Sequence, residues 1–178
     1  SKKSSILQCA NMGAVSGIRC GGIAGRLADG STISDCSNSG AVTGTTWAAG
    51  IVAEIVSYGE VQATLNTGTV SGRQSQPVIV KLENGKVDKS YYDSNWGAGS
   101  TGASRTTKYL AGGEVDGLIV KQGWILNKSF YPYQSVGGDR AKAQAAAAYV
   151  TTENDGTAYL NLSTEGSWTH NETQLSFG

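Results

Sequence analysis

The 178-residue chain contains no run of about 18 apolar residues, so nothing in it reads as a membrane-crossing helix. It has no excess of either charge: 14 basic residues face 14 acidic ones, which gives no reason to expect an electrostatic grip on nucleic acid or on an anionic membrane. Histidine occurs once, at His170 in "THNETQ", so no His-Glu-x-x-His zinc motif is present. The three cysteines (Cys9, Cys20 and Cys36) are an odd number confined to the first forty residues. They make a poor disulfide framework, and without a CxxC pair they suggest no zinc site. Proline is also scarce, with two residues. The opening "SKKSSILQ" lacks the apolar centre of a signal peptide, so a secreted parent is expected to have its signal upstream or already removed.

Glycine is abundant, 25 residues, and it recurs at fixed offsets. The phrase "CANMGAVSG" (9–17) returns as "CSNSGAVTG" (36–44) and as "TLNTGTVSG" (64–72). Asn11, Asn38 and Asn66 are spaced by 27 and then 28 residues, and the same offsets carry Gly13 to Gly40 to Gly68 and Val15 to Val42 to Val70. A β-branched residue precedes each phrase (Ile6, Ile33, Val61, then Val87), and a Gly-apolar patch follows it. Each unit thus holds three short β-compatible pieces bounded by turn residues.

A three-strand unit cannot bury its own apolar face, whereas stacked copies about 4.8 Å apart cover one another. The predicted fold is therefore all-β: a parallel β-solenoid (β-helix) of about three to four coils over residues 1–90. Antiparallel hairpins would not require the same residue types to return at this spacing. Equivalent positions become axial ladders: Val15, Val42 and Val70; Ile6, Ile33, Val61 and Val87; and Ile23, Ile51 and Ile79. Gly13, Gly40 and Gly68 are expected to supply positive-φ corners. Asn11, Asn38 and Asn66 are expected to form a corner ladder that bonds backbone groups of the adjacent coil. Cys9 and Cys36 share a column continued by Thr64 and Ser90, read either as small buried positions or as a pair within reach of an inter-coil disulfide.

The repeat decays in "ENGKVDKSYYD" (83–93). The aromatic-rich residues 91–138 are expected to cap the open end of the solenoid. Residues 139–148, "DRAKAQAAAA", read as a linker or a short helical spacer. Residues 149–178 alternate polar and apolar residues around Asn154-Asp155-Gly156 and Glu165-Gly166, as in the start of an incomplete β-sandwich-like domain. Both ends are expected to continue into a longer protein.

The combination "NMGAVSG…GGIAG…STISDCSNSGAVTG…AGIVA" resembles the GLUG-type repeats of bacterial cell-surface proteins. "SYYDSNWGAGSTG…GWILNKSFYPYQ" is similar to the segment that closes such arrays, and together the likeness covers about residues 6–135. The resemblance implies a β-solenoid in a large secreted or surface-anchored, adhesin-like protein, with immunoglobulin-like sandwiches often following. Some relatives are metallopeptidases that cleave immunoglobulin A1, but their zinc motif has no counterpart here.

No catalytic residue, metal ligand or cofactor is predicted. Acidic residues among the coils (Asp29, Asp35, Glu54, Glu60) are few and are read as forming no shared column with basic partners, so no acid–base set is assembled. Asp93-Ser94-Asn95 reads as a turn, lacking the later positions of a calcium loop. Asn127, Asn161 and Asn171 begin N-x-S/T triplets, relevant only in a eukaryotic secretory host. Candidate ligand contacts are the outward hydroxyl column Ser16, Thr43 and Ser71 and the aromatic cluster Tyr91, Tyr92 and Trp96, which suits a sugar ring if it is not packed as a cap. The expected role is non-enzymatic: an extracellular adhesion module on the bacterial surface, presenting many similar weak contacts to a glycan or host surface protein. The alternatives are an accessory repeat region of a secreted polysaccharide-processing enzyme or peptidase, and a surface-filament subunit that assembles with further copies of itself.

Overall fold

The computed structural model describes residues 3–94, 99–128, 130–152, 166–170 and 173–177. Its first half is a three-sided parallel β-solenoid. The first coil comprises β1 (Ser5–Leu7), β2 (Ala10–Asn11), β3 (Val15–Gly21) and β4 (Ala24–Leu27). The second comprises β5 (Thr32–Asn38), β6 (Val42–Ala49) and β7 (Val52–Ile55), and the third β8 (Glu60–Asn66), β9 (Val70–Gln76) and β10 (Ile79–Leu82). Equivalent strands pair in parallel, giving sheet A (β1 and β2 on β5, then β8), sheet B (β3-β6-β9) and sheet C (β4-β7-β10). Among the described residues, further layers are present in sheet A alone: β11 (Lys86–Asp93) pairs with β8 as a fourth, and β12 (Ala103–Arg105) pairs with β11 as a short fifth. Coil-like structure therefore runs past residue 90.

The predicted ladders differ in one detail. Val15, Val42 and Val70 are in register, as are Ile6, Ile33, Val61 and Val87. In sheet C, Val52 pairs with Ala24 and Ile79, which sets Ile51 beside Ile23 and Val78 rather than Ile79. The cause lies upstream. β6 has one extra residue between Gly44 and Trp47, opposite Gly17–Arg19 on one side and Gly72–Gln74 on the other. This bulge turns the 28-residue offset into 27 for the rest of the coil.

The repeat glycines also do different work from that expected. Gly13, Gly40 and Gly68 are not in the left-handed region; each coil instead places Gln8, Asp35, Ala63 or Lys89 there, with φ from 44° to 53°. Gly40 and Gly68 are needed because their backbones touch the preceding coil. A Cβ on Gly40 would lie 2.0 Å from the Gly13 carbonyl oxygen, and one on Gly68 would lie 2.1 Å from that of Gly40.

Beside these contacts runs an amide ladder. Asn11 Nδ2 donates to Asn38 Oδ1 at 2.7 Å, and Asn38 Nδ2 donates to Asn66 Oδ1 at 2.8 Å. Each Nδ2 also donates to the carbonyl two residues on in its own coil, at 3.0 Å. The amides thus bond one another and their own coil rather than the backbone of the next. Tyr92 succeeds Asn66 in the register, and its hydroxyl both accepts from and donates to the backbone of Gly99.

The segment expected as a cap divides its role. Residues 99–105 close the end of sheets A and C. The Thr101 hydroxyl donates to the Ile79 carbonyl and accepts from the Ile79 N–H, and Ser100 N–H donates to Gln76 Oε1 at 2.9 Å. From α1 (Thr107–Leu110) onward the chain turns back along the outer side of sheet A, as a strap. Leu110, Val115, Leu118, Trp124, Phe130 and Tyr131 bury themselves against Ala63, Leu65 and Tyr91. Two short strands, β13 (Trp124–Ile125) and β14 (Tyr133–Gln134), pair within the strap. Of the two readings of residues 139–148, linker or short helical spacer, the helical one holds: they are part of the helix α2 (Gly138–Thr152). Its alanines favour helix, and Ala141 and Ala145, one turn apart, are both buried, which supplies the packing a short helix needs.

Toward the C-terminus, β15 (Gly166–His170) and β16 (Thr173–Phe177) form an antiparallel pair. Asn154, Asp155, Gly156 and Glu165 of the predicted turns lie outside the described residues, as do Asn161 and Asn171.

Candidate functional site

A solenoid offers its outer faces to partners, and this one has three. The strap occupies most of the first. It ties itself to successive layers of the solenoid through buried and part-buried polar anchors. The Tyr131 hydroxyl donates to Asp93 Oδ2 at 2.6 Å, and the Tyr91 hydroxyl donates to the Asp116 carbonyl at 2.9 Å. Trp124 Nε1 donates to Asp35 Oδ1 at 3.2 Å. Gln144 reaches the first two coils, accepting from the Ser39 hydroxyl at 2.6 Å and donating to the Met12 carbonyl at 3.1 Å.

This arrangement removes part of the predicted ligand surface. Tyr91 and Tyr92 are each 3% exposed, Tyr91 beneath the strap and Tyr92 facing the solenoid core, so neither can stack on a sugar. Burial accordingly pushes the Tyr91 hydroxyl above its ordinary range. Trp96 lies outside the described residues. A shallow cleft of about 370 Å³ opens where the strap leaves sheet A, lined by Asp88, Lys89, Tyr91, Arg105 and Asp116 among others. Two of its charges pair with each other, and a third rests on aromatic rings. Lys89 Nζ meets Asp116 Oδ1 at 3.0 Å, a contact that raises the lysine pKa, and Arg105 lies over the rings of Tyr91 and Tyr109.

The second face, on sheet C, neutralises itself. Arg26, Glu54 and Lys81 are in register on β4, β7 and β10. Arg26 Nε lies 3.5 Å from Glu54 Oε2, and Lys81 Nζ lies 3.1 Å from Glu54 Oε1 and 3.1 Å from Glu83 Oε2. Hydrogen bonds from Lys81 to Glu54 and then Glu83 raise its pKa. The expectation that no acidic residue shares a column with basic partners is thus overturned at Glu54. The cause is the β6 bulge, which makes the offsets 28 and then 27 here. The column remains an ion-pair ladder and not a pair of carboxylates.

The third face, on sheet B, is covered by no other segment among the described residues. Ser16, Thr43 and Ser71 are in register and exposed, with Thr43 Oγ1 and Ser71 Oγ 3.2 Å apart. Beyond the bulge a second column of Arg19, Trp47 and Gln74 follows. The Arg19 guanidinium carbon sits 4.4 Å from the centroid of the Trp47 ring. Arg73, one residue before Gln74, is exposed. Sequence reasoning missed Arg19, Trp47, Arg73 and Gln74. The 28-residue spacing from Arg19 to Trp47 was the available signal, but the bulge breaks it at Gln74.

Beneath these faces the thiols are free. Cys36 is wholly buried beside Cys9, and burial pushes its pKa up to about 12; burial also raises that of Cys20. Among the described residues, no group of three His, Cys, Asp or Glu side chains is placed to hold a metal ion, and no described helix is long and apolar enough to cross a membrane. Comparison with family models, with curated proteins and with solved structures found no match to this chain.

Proposed function

We propose that the chain is a non-catalytic binding and spacing module of a bacterial surface protein, which uses the outer face of sheet B to hold a glycan. One observation carries this reading. Among the described residues, one outer face lies beneath the strap and another is neutralised by its own ion pairs, while sheet B keeps its hydroxyls and arginines exposed and its tryptophan half-buried among them. The repeating coil gives such a face regular spacing, so a polymeric ligand meets similar contacts at each layer, and several weak contacts add. Hydroxyl and amide side chains beside an aromatic suit the mixed polar and apolar surface of a sugar ring. The GLUG-type likeness of residues 6–135 supports placing the module at the extracellular bacterial surface.

The test is a glycan array probed with the full chain, followed by titrations with variants of each face. Trp47→Ala together with Thr43→Val on sheet B should abolish binding, and Arg26→Gln on sheet C should leave it intact. Binding that is indifferent to the sheet B changes, or absent across the array, would contradict the reading.

A further inference from the structure

Charge on the open face has one sign. β3, β6 and β9 carry Arg19 and Arg73 and no aspartate or glutamate. Among the described residues neither guanidinium pairs with a carboxylate, whereas Arg26 on the adjacent face is matched by Glu54. Trp47 holds the Arg19 guanidinium carbon 4.4 Å from its ring centroid. Such a cation–π contact engages the charge through the ring's quadrupole and does not itself require the N–H donors as hydrogen bonds to a carboxylate.

Spacing adds a second constraint. Arg19 pairs with Trp47, and Trp47 with Gln74, the residue after Arg73. The two arginines are therefore about two inter-strand spacings apart along the solenoid axis, ~10 Å. That separation is comparable with two sugar rings in a chain. The hydroxyl column Ser16, Thr43 and Ser71 runs parallel to this line at one residue per layer.

We propose that this strip binds an anionic glycan, a chain of sugar rings bearing carboxylate or sulfate groups, laid along the solenoid axis. Arg19 and Arg73 each receive an acid group, and the serine and threonine hydroxyls meet the ring hydroxyls. The proposal rests on sheet B being the binding face and adds the ligand's charge and direction. Single-stranded nucleic acid fits less well: it requires stacking platforms for its bases, and the indole of Trp47 already has Arg19 over one side.

Titration calorimetry tests this with the full chain and four probes: polygalacturonate, dextran sulfate, neutral dextran and an oligothymidylate. Each is measured against wild type, Arg19→Gln, Arg73→Gln and Lys81→Gln, with circular dichroism confirming that every variant is folded. Either or both anionic glycans should bind, and the one preferred identifies the acid group. Each sheet B arginine change should weaken that binding about tenfold, as expected for the loss of one charge-assisted contact at a hydrated surface. Lys81→Gln should have no effect, and added salt should weaken binding throughout. Neutral dextran binding as tightly as the anionic chains, with the arginine changes silent, would overturn the anionic inference and leave sheet B as a neutral-glycan face. Preference for the oligothymidylate would overturn it in favour of nucleic acid. If no glycan binds wild type, the proposal and the functional reading it rests on fail together.

Discussion

At the scale of residues, the repeated phrase is a set of steric and polar requirements for stacking. Gly40 allows its backbone to lie against Gly13, so Gly40→Ala should destabilise the fold by about 3 kcal/mol or more, because the obstructing atom is a backbone oxygen that cannot swing away. Gly17, in the same phrase, has nothing within 4 Å of an added Cβ and does not have a positive φ. Gly17→Ala should therefore change stability by less than about 1 kcal/mol, on the stabilising side. Urea unfolding of the two variants separates this account from one in which both glycines serve turns, where the two costs would be similar. Thr64 offers the converse test. Its hydroxyl is fully buried in the column shared with Cys36 and has no partner among the described residues, so Thr64→Val should be neutral or stabilise by about 1 kcal/mol. A loss of stability would show that the hydroxyl has a role the geometry does not reveal. Cys36 links the same column to pH. Its proton is held in the folded state up to about 12, above the ordinary 9.0, so between those values the unfolded chain ionises first. Its contribution is intact below pH 9 and is lost as pH rises through that window. Unfolding midpoints at pH 8 and pH 10 should fall less in Cys36→Ala than in wild type, and equal falls would refute the assignment.

At the scale of elements, the strands and their stacking were legible because ladders impose the same residue type at each turn. Val15–Val42–Val70 and Asn11–Asn38–Asn66 recur in sequence because the same neighbours surround each member. Elements that break the period were harder to read. The β6 bulge costs one residue at Thr45–Thr46 and looks in sequence like a small change in repeat length, yet it decides which side chains share the columns of sheet C and the far half of sheet B. The strap was legible as aromatic and non-repetitive but not in its direction. Its partners, Asp35 to Trp124 and Ser39 to Gln144, are 89 and 105 residues apart, beyond any local pattern. Likewise, "AKAQAAAA" gave too few helix-forming residues to stand alone, and the burial of Ala141 and Ala145 is tertiary information. The strap supports a prediction of its own. Trp124→Phe removes the indole donor from buried Asp35 and should destabilise by about 3 kcal/mol, combining lost volume with an orphaned acceptor. Hydrogen exchange should then speed up in β5 as well as in the strap. Faster exchange confined to the strap would mean that it merely rests on the sheet.

At the scale of the whole molecule, the solenoid is a stack whose layers touch only their neighbours, a geometry that by itself lets coils fray from the ends. The strap crosses those layers, anchoring at Asp93, Tyr91, Asp35, Ser39 and Met12, and so joins the fourth layer to the first. The price is one outer face. With sheet A covered and sheet C matched in charge, the molecule presents Ser16, Thr43, Ser71, Arg19, Trp47 and Arg73 on a single rigid side. The hydroxyl half of that side was readable from the period. The cationic half was not, since Arg73 falls one residue short of Gln74, the position that two turns of the repeat place in Arg19's column. That side being the binding face is the central claim, and backbone amide chemical-shift mapping of the isotope-labelled chain, titrated with polygalacturonate and dextran sulfate, tests it most directly. The account predicts that shifts cluster on β3, β6 and β9, centred on Arg19, Trp47 and Arg73. Shifts clustered on the Arg26–Glu54–Lys81 column, on the strap, or nowhere would contradict it.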